Sequence, residues 1–188
     1  MKTMGYIGAV VLVLALSGCG SGGTKPAANG SGAGTTKSTS TAKLPDGLLL
    51  KEAPADAKEI AAAKKDVKEG DEVIIRGRIA GSEEPFTPQR AQFQLADTKL
   101  LSCNERPDDP CKTPWDLCCD APETIRAHSA TIQIVDEAGK PLKMDVKGAS
   151  GIDYLTVMVV KGKVARREAD NLVVNATGIY IEPSKKGN

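Results

Sequence analysis

The sequence predicts an all-β domain, a small barrel of five or six strands preceded by one short helix. Three observations predict it. Apolar and polar residues alternate with period two through most of residues 72–182. Gly77, Gly162 and Gly178 stand inside those alternating runs, where strands of a small closed sheet must bend or coil. The runs are also too few and too unevenly spaced for a sandwich, which wants about seven.

The first element is a helix. In PADAKEIAAAKKDVKEGD, Pro54 suits a first turn, Asp56 and Glu59 lie near the N-terminal end, Lys68 lies near the other, and Gly70 offers a stop. This predicts a helix over 54–68 within an N-terminal segment 49–70. Ala57, Ile60, Ala61 and Val67 give it a thin apolar face, fit to lie across the end of a sheet, while Lys64 and Lys65 read as a solvated side.

The strands follow. In EVIIRGRIAG, Val73, Ile75, Gly77 and Ile79 point inward, against Ile74, Arg76 and Arg78. AQFQLADT sets Ala91, Phe93 and Leu95 against Gln92 and Gln94, and ATIQIVD sets Ala130, Ile132 and Ile134 against Thr131 and Gln133. EAGKP over 137–141 is a turn, after which LKMDVKG is expected to continue the sheet through Leu142, Met144 and Val146. LTVMVVKGKVAR is a nearly continuous β-branched run, broken at Asp170-Asn171 before LVVNATGIYIE closes the domain.

The pattern VIIRGRIAG, then FQLAD, then LTVMVVKGKVARREADNLVVNATGIYIE resembles the OB-fold, over roughly residues 72–182. The resemblance implies a five-stranded OB-like barrel over 71–183. Two departures stand out: residues 101–127 form a Cys/Pro-rich insertion between strands two and three, and GASGID is too short for the helix usually found between strands three and four. The resemblance also implies ligand binding on the face of strands two and three and its flanking loops. The residues available there are Arg76, Arg78, Gln92, Gln94, Thr131 and Gln133, with Arg166 and Arg167 in the last hairpin. Single-strand nucleic acid binders stack bases on aromatics, and none stands at these positions. The insertion carries Glu105, Asp108, Asp109, Asp116, Asp120 and Glu123 against Arg106, Lys112 and Arg126, so it repels phosphate. A protein partner or a polysaccharide is the expectation, and nucleic acid is disfavoured.

The N-terminus places the domain. Lys2 and the apolar run Tyr6–Leu16, followed by small residues, have the layout of an export signal, too short for a permanent span. Leu16-Ser17-Gly18-Cys19 resembles the lipobox of bacterial lipoproteins. That resemblance implies a signal peptide over 1–18, cleavage, and lipid on Cys19, with several acyl chains giving stable membrane anchoring. It locates the protein in the cell envelope, at the outer membrane or facing the periplasm if the cell has two membranes. Residues 19–48, rich in Gly, Ser and Thr, cannot bury enough apolar surface to fold and read as a disordered tether.

Compartment then bears on the remaining cysteines, Cys103, Cys111, Cys118 and Cys119. An exported chain enters an oxidising space where thiols pair. A bond between adjacent Cys118 and Cys119 would be strained, so Cys103 and Cys111 are expected each to take one of them, with the assignment open. The alternative is an envelope metal-binding or thiol-redox protein using the Cys103–Cys119 cluster. Against a metal stands the spacing, because zinc ligands commonly come in pairs two to four residues apart. Against redox chemistry stands the absence of C-x-x-C. No metal and no cofactor is expected.

Nor do the residues point to an enzyme. The chain has a single histidine, His128, and lacks H-E-x-x-H, G-x-S-x-G and a Gly-rich phosphate loop. Glu83-Glu84 and Asp108-Asp109 sit in turn-like segments and read as solvated loop charge. With 25 Lys and Arg against 24 Asp and Glu, no bulk charge selects a polyanionic partner.

Overall fold

A computed structural model describes residues 43–108 and 110–184. The expected signal peptide, Cys19 and most of the expected tether lie outside the described residues. The domain is mostly β, one sheet of six strands with two short α-helices. The elements in chain order are β1 Lys58–Glu59, α1 Ile60–Asp66, β2 Glu72–Ile79, β3 Gln92–Ala96, α2 Pro122–Ala127, β4 Ser129–Gln133, β5 Val157–Glu168 and β6 Asn171–Ile181.

The expected alternation sets the core. Val73, Ile75 and Ile79 of β2, Phe93 and Leu95 of β3, Ala130 and Ile132 of β4, and Val160 and Val164 of β5 are buried together with Leu172 and Val174 of β6. Pairing runs β2–β3 and β3–β4 antiparallel, β4–β6 parallel, β6–β5 antiparallel, and β5 pairs again with β2 along Glu72–Arg78. Two register shifts in the β5–β6 pair, at Lys161/Gly162 and Val164/Arg166, let these long strands coil. The first leaves Thr177 unpaired between Gly178 and Ala176, so inward positions change parity and Ile179 joins the core. At Gly77 a Cβ would lie 2.6 Å from the Ala96 carbonyl oxygen and 2.8 Å from Leu95 Cγ, so only glycine lets β3 cross β2 so closely.

Three expectations are corrected. The helix over 54–68 is shorter, because Asp56 adopts φ 59°, incompatible with a right-handed helix, and Lys58–Glu59 pair in parallel with Ile75–Arg76. Those two β2 residues already pair with Val160 and Val159 of β5, so β1 covers the other edge, which β3 reaches only at Arg78 and Ile79. The sheet thus has six strands. The segment Leu142–Val146 forms no strand: after the Val135–Pro141 bridge the chain bends away, with Val146 buried and Leu142 and Met144 packed on the core. Leu142 N still donates to the Ile134 carbonyl at 2.9 Å and its own carbonyl accepts from Ala91 N at 2.8 Å, but no strand runs on from there, and beyond Leu142 the alternation reports burial alone. Finally, residues 43–48 belong to the fold and not to a tether. Leu44 and Leu48 are core residues, and Leu48 and Leu50 exchange backbone hydrogen bonds with Ile179 at 2.7 and 2.8 Å.

The insertion holds a helix that the sequence reading left out. Pro122 at its first turn, Glu123 beside it and Arg126 in the last turn are ordinary helix signals, set within the Cys/Pro-rich run. Residues 149–151, between β4 and β5, make only a single 3₁₀ turn.

Candidate functional site

The insertion folds back on itself. Ser102 precedes a 3₁₀ turn over Cys103–Glu105, and the Glu105 carboxylate accepts from Ser102 N and Oγ, both at 2.9 Å. Cys103 N donates to the Asp116 carbonyl at 2.9 Å and Asn104 N to that of Pro114 at 3.1 Å, which brings residues 103–104 alongside 114–116. A turn closed by Asp120 N and the Leu117 carbonyl at 2.9 Å then carries Cys118 and Cys119 at its two central positions. Leu117 is fully buried against Ala80 and Ala96. Trp115 stacks on Tyr154 with ring centroids 3.7 Å apart and donates from Nε1 to the Glu83 carbonyl at 2.9 Å. The insertion is therefore docked through Leu117 on the ends of β2 and β3 and through Trp115 on the loops that carry Tyr154 and Glu83.

This doubling back gathers the sulfurs of Cys103, Cys111, Cys118 and Cys119 within 4.8 Å of one another. Cys118 Sγ lies 3.5 Å from Cys103 Sγ and 3.2 Å from Cys111 Sγ. Cys103 is buried, Cys111 half-buried, and Cys118 and Cys119 exposed. Beside them, Arg106 Nη2 donates to Asp120 Oδ2 at 2.9 Å, while Arg106 Nε is buried with no hydrogen-bond partner among the described residues. The Asp120 hydrogen bond holds the guanidinium above its ordinary range, and the Cys119 and Cys103 sulfurs add to that effect.

The eight residues expected on the binding face fall into two groups. Arg76 makes a two-pronged pair with Glu182 at 2.6 and 2.9 Å, and also donates to Thr98. Arg78 is buried by the insertion, paired with Glu105 at 2.7 Å and donating to the Leu100 carbonyl. Its guanidinium, aided by Ser102, holds the Glu105 carboxyl down to about 2. Arg167 donates to the Lys64 and Ala169 carbonyls, and Gln92 and Gln133 bond to each other at 2.8 Å. These five tie parts of the fold together.

Gln94, Thr131 and Arg166 instead line one cavity of about 180 Å³ between β4 and the β5–β6 hairpin, joined there by Arg126, Ser129 and Asn171. Ser129 Oγ is buried and has no hydrogen-bond partner among the described residues. Arg126 and Ser129 are absent from the expected face, although Ser129 immediately precedes the expected strand ATIQIVD and shares the alternation of Thr131.

The single histidine, His128, is held against Asp97. His128 Nδ1 donates to Asp97 Oδ2 at 2.7 Å, and Asp97, fully buried, also accepts from Ile60 N and Ala61 N. Lys64, expected on a solvated side, is buried, with Nζ donating to the Arg126 and Asp170 carbonyls, both at 2.5 Å. Burial pushes its ammonium down to about 8. Lys65 is exposed, as expected. Among the described residues no helix is long and apolar enough to cross a membrane. Comparison with protein-family models, with curated proteins and with solved structures returns no match.

Proposed function

We propose that this chain is a non-enzymatic binding protein of the bacterial cell envelope, held to a membrane by lipid on Cys19. Its domain is an OB-like barrel that binds a polysaccharide in the cleft between β4 and the β5–β6 hairpin. Support for the barrel comes from the pairing circuit β2–β3–β4–β6–β5–β2, with the third and fifth members of the chain order parallel; β1 is an addition to it. Support for the anchor is the Leu16–Cys19 motif.

The observation that carries the binding reading is the cleft itself. Buried polar atoms are nearly always hydrogen-bonded, and Ser129, whose buried Oγ has no such partner among the described residues, lines a cavity bordered by two amides, the Thr131 hydroxyl, two guanidinium groups and Asp170. Gln94, Thr131 and Asn171 suit sugar hydroxyls, while Arg126 and Arg166 suit a carboxylate or phosphate substituent. A protein partner would use the same face through a projecting acidic or amide side chain, and is the second reading.

A glycan array probed with the full chain tests this, followed by calorimetry on any hit. An Arg166→Ala and Asn171→Ala variant is expected to lose tenfold or more in affinity, on the scale of about 1.4 kcal/mol or above. Absence of any glycan hit, or affinity unmoved by the double substitution, overturns the polysaccharide reading. Envelope crosslinking from position 131 that captures a protein would then favour the second.

A further inference from the structure

We propose that the four sulfurs of Cys103, Cys111, Cys118 and Cys119 form a tetrathiolate site for a thiophilic d¹⁰ cation, zinc foremost. A tetrahedron with metal–sulfur bonds of about 2.3 Å has sulfur–sulfur edges of about 3.8 Å. All four sulfurs here lie within 4.8 Å of one another, with Cys118 Sγ 3.2 Å from Cys111 Sγ and 3.5 Å from Cys103 Sγ.

The sharing of Cys118 is informative. Two separate bridges would give each sulfur one close partner, whereas Cys118 Sγ sits nearly equidistant from Cys103 Sγ and Cys111 Sγ. That is the arrangement of ligands around a common centre. The turn over Leu117–Asp120 explains how adjacent cysteines can serve together, since its central residues both face the cluster. The usual spacing of zinc ligands is one way to present two sulfurs from a single turn, and this turn is another.

The surroundings fit an anionic centre. Loading proceeds as Zn²⁺ plus four thiols giving a tetrathiolate of charge 2− and four protons released to solvent. Arg106 brings a positive charge beside Cys103 and Cys119, and its buried, unpartnered Nε is a donor available to a thiolate. With all four positions taken by protein, the site is of the closed, structural kind. It holds residues 101–120, which make no strand, in the shape that buries Leu117 and covers Arg78.

The test uses the full chain, made with zinc in the medium and purified under argon. About one zinc per chain is expected, together with alkylation of all four cysteines once the protein is denatured in chelator. Replacing zinc by cobalt should give the intense visible bands of a tetrahedral thiolate site. Cys103→Ser combined with Cys118→Ser should abolish both, and Arg106→Gln should weaken zinc binding roughly tenfold. A metal-free chain lighter by four hydrogens at these residues means two disulfides and overturns the proposal. So does zinc retained by the double variant, or a cobalt spectrum without thiolate character. Should the double variant fail to fold, the cobalt spectrum of the unaltered chain decides. The outcome is independent of the cleft, whose variants leave these sulfurs untouched.

Discussion

Asp97 and His128 meet at 2.7 Å, in a contact that also caps a helix distant in sequence. Glu59 at the N-cap of α1 makes no side-chain cap, and the Asp97 carboxylate, from just beyond β3, takes its place by accepting from Ile60 N and Ala61 N. One buried carboxylate thus joins α1, β3 and the start of β4. Asp97→Ala removes the acceptor of one buried donor, Ile60 N, and of two half-buried ones, Ala61 N and His128 Nδ1, and should destabilise the domain by about 2–4 kcal/mol, read from urea midpoints. Asp97→Asn keeps one acceptor oxygen and should cost less than half as much.

The Arg78–Glu105 pair predicts an acid-side loss of stability. The Glu105 carboxyl is held at about 2 in the fold, below its ordinary 4.5, first by the Arg78 hydrogen bond. Its contribution is therefore fully present above pH 4.5 and disappears as pH falls toward 2. Because the Glu105 side chain is 40% exposed, solvent screening reduces this to about 1 kcal/mol. The difference in stability between the native chain and Glu105→Gln should shrink over that window. A constant difference would refute the assignment.

Lys64 predicts the opposite slope at alkaline pH. Burial lowers its ammonium from 10.5 to about 8 in the fold. The unfolded chain then binds more protons between those values, so stability should rise from pH 8 to 10.5, by about 1–3 kcal/mol from this group. Thiols and tyrosines titrate nearby, so the measurement is the slope relative to Lys64→Met. Parallel slopes for the two proteins would show that Lys64 is not the source.

Gly77→Ala places a methyl 2.6 Å from the Ala96 carbonyl oxygen in the middle of β2. Backbone on both sides is held by pairing, so relief requires the strands to separate, at about 1–3 kcal/mol. Chemical denaturation should show a lowered midpoint with unchanged slope.

What the sequence displayed and what it hid divide along local and non-local lines. The inward residues of β2, β3, β4, β5 and β6 were legible because each strand alternates on its own. Leu142–Val146 alternates too, yet only Leu142 keeps backbone hydrogen bonds to the sheet's edge, with Ala91 and Ile134, and the rest reports burial without a strand. Arg78 holds an outward position by alternation and is nonetheless buried, because an insertion of unpredictable course lies over it. The cysteine spacing, with seven and six intervening residues before the adjacent pair, does not match a zinc motif, although the expected pairing of Cys103 and Cys111 with Cys118 and Cys119 already implied that the four meet. Convergence depends on residues 103–104 lying beside 114–116, a contact set by backbone hydrogen bonds and by the docking of Leu117 and Trp115. Gln94, Thr131 and Arg166 were legible as a face, whereas the cleft also needed Arg126 from the helix hidden in the insertion.

The proposed function requires an extracytoplasmic protein fastened by lipid at Cys19. The direct measurement is metabolic labelling with palmitate, followed by fractionation of cells expressing either the native chain or Cys19→Ser. Label in the membrane-bound native chain, with none in the variant, is the predicted result. An unlabelled, full-length chain recovered from the cytosol would contradict it.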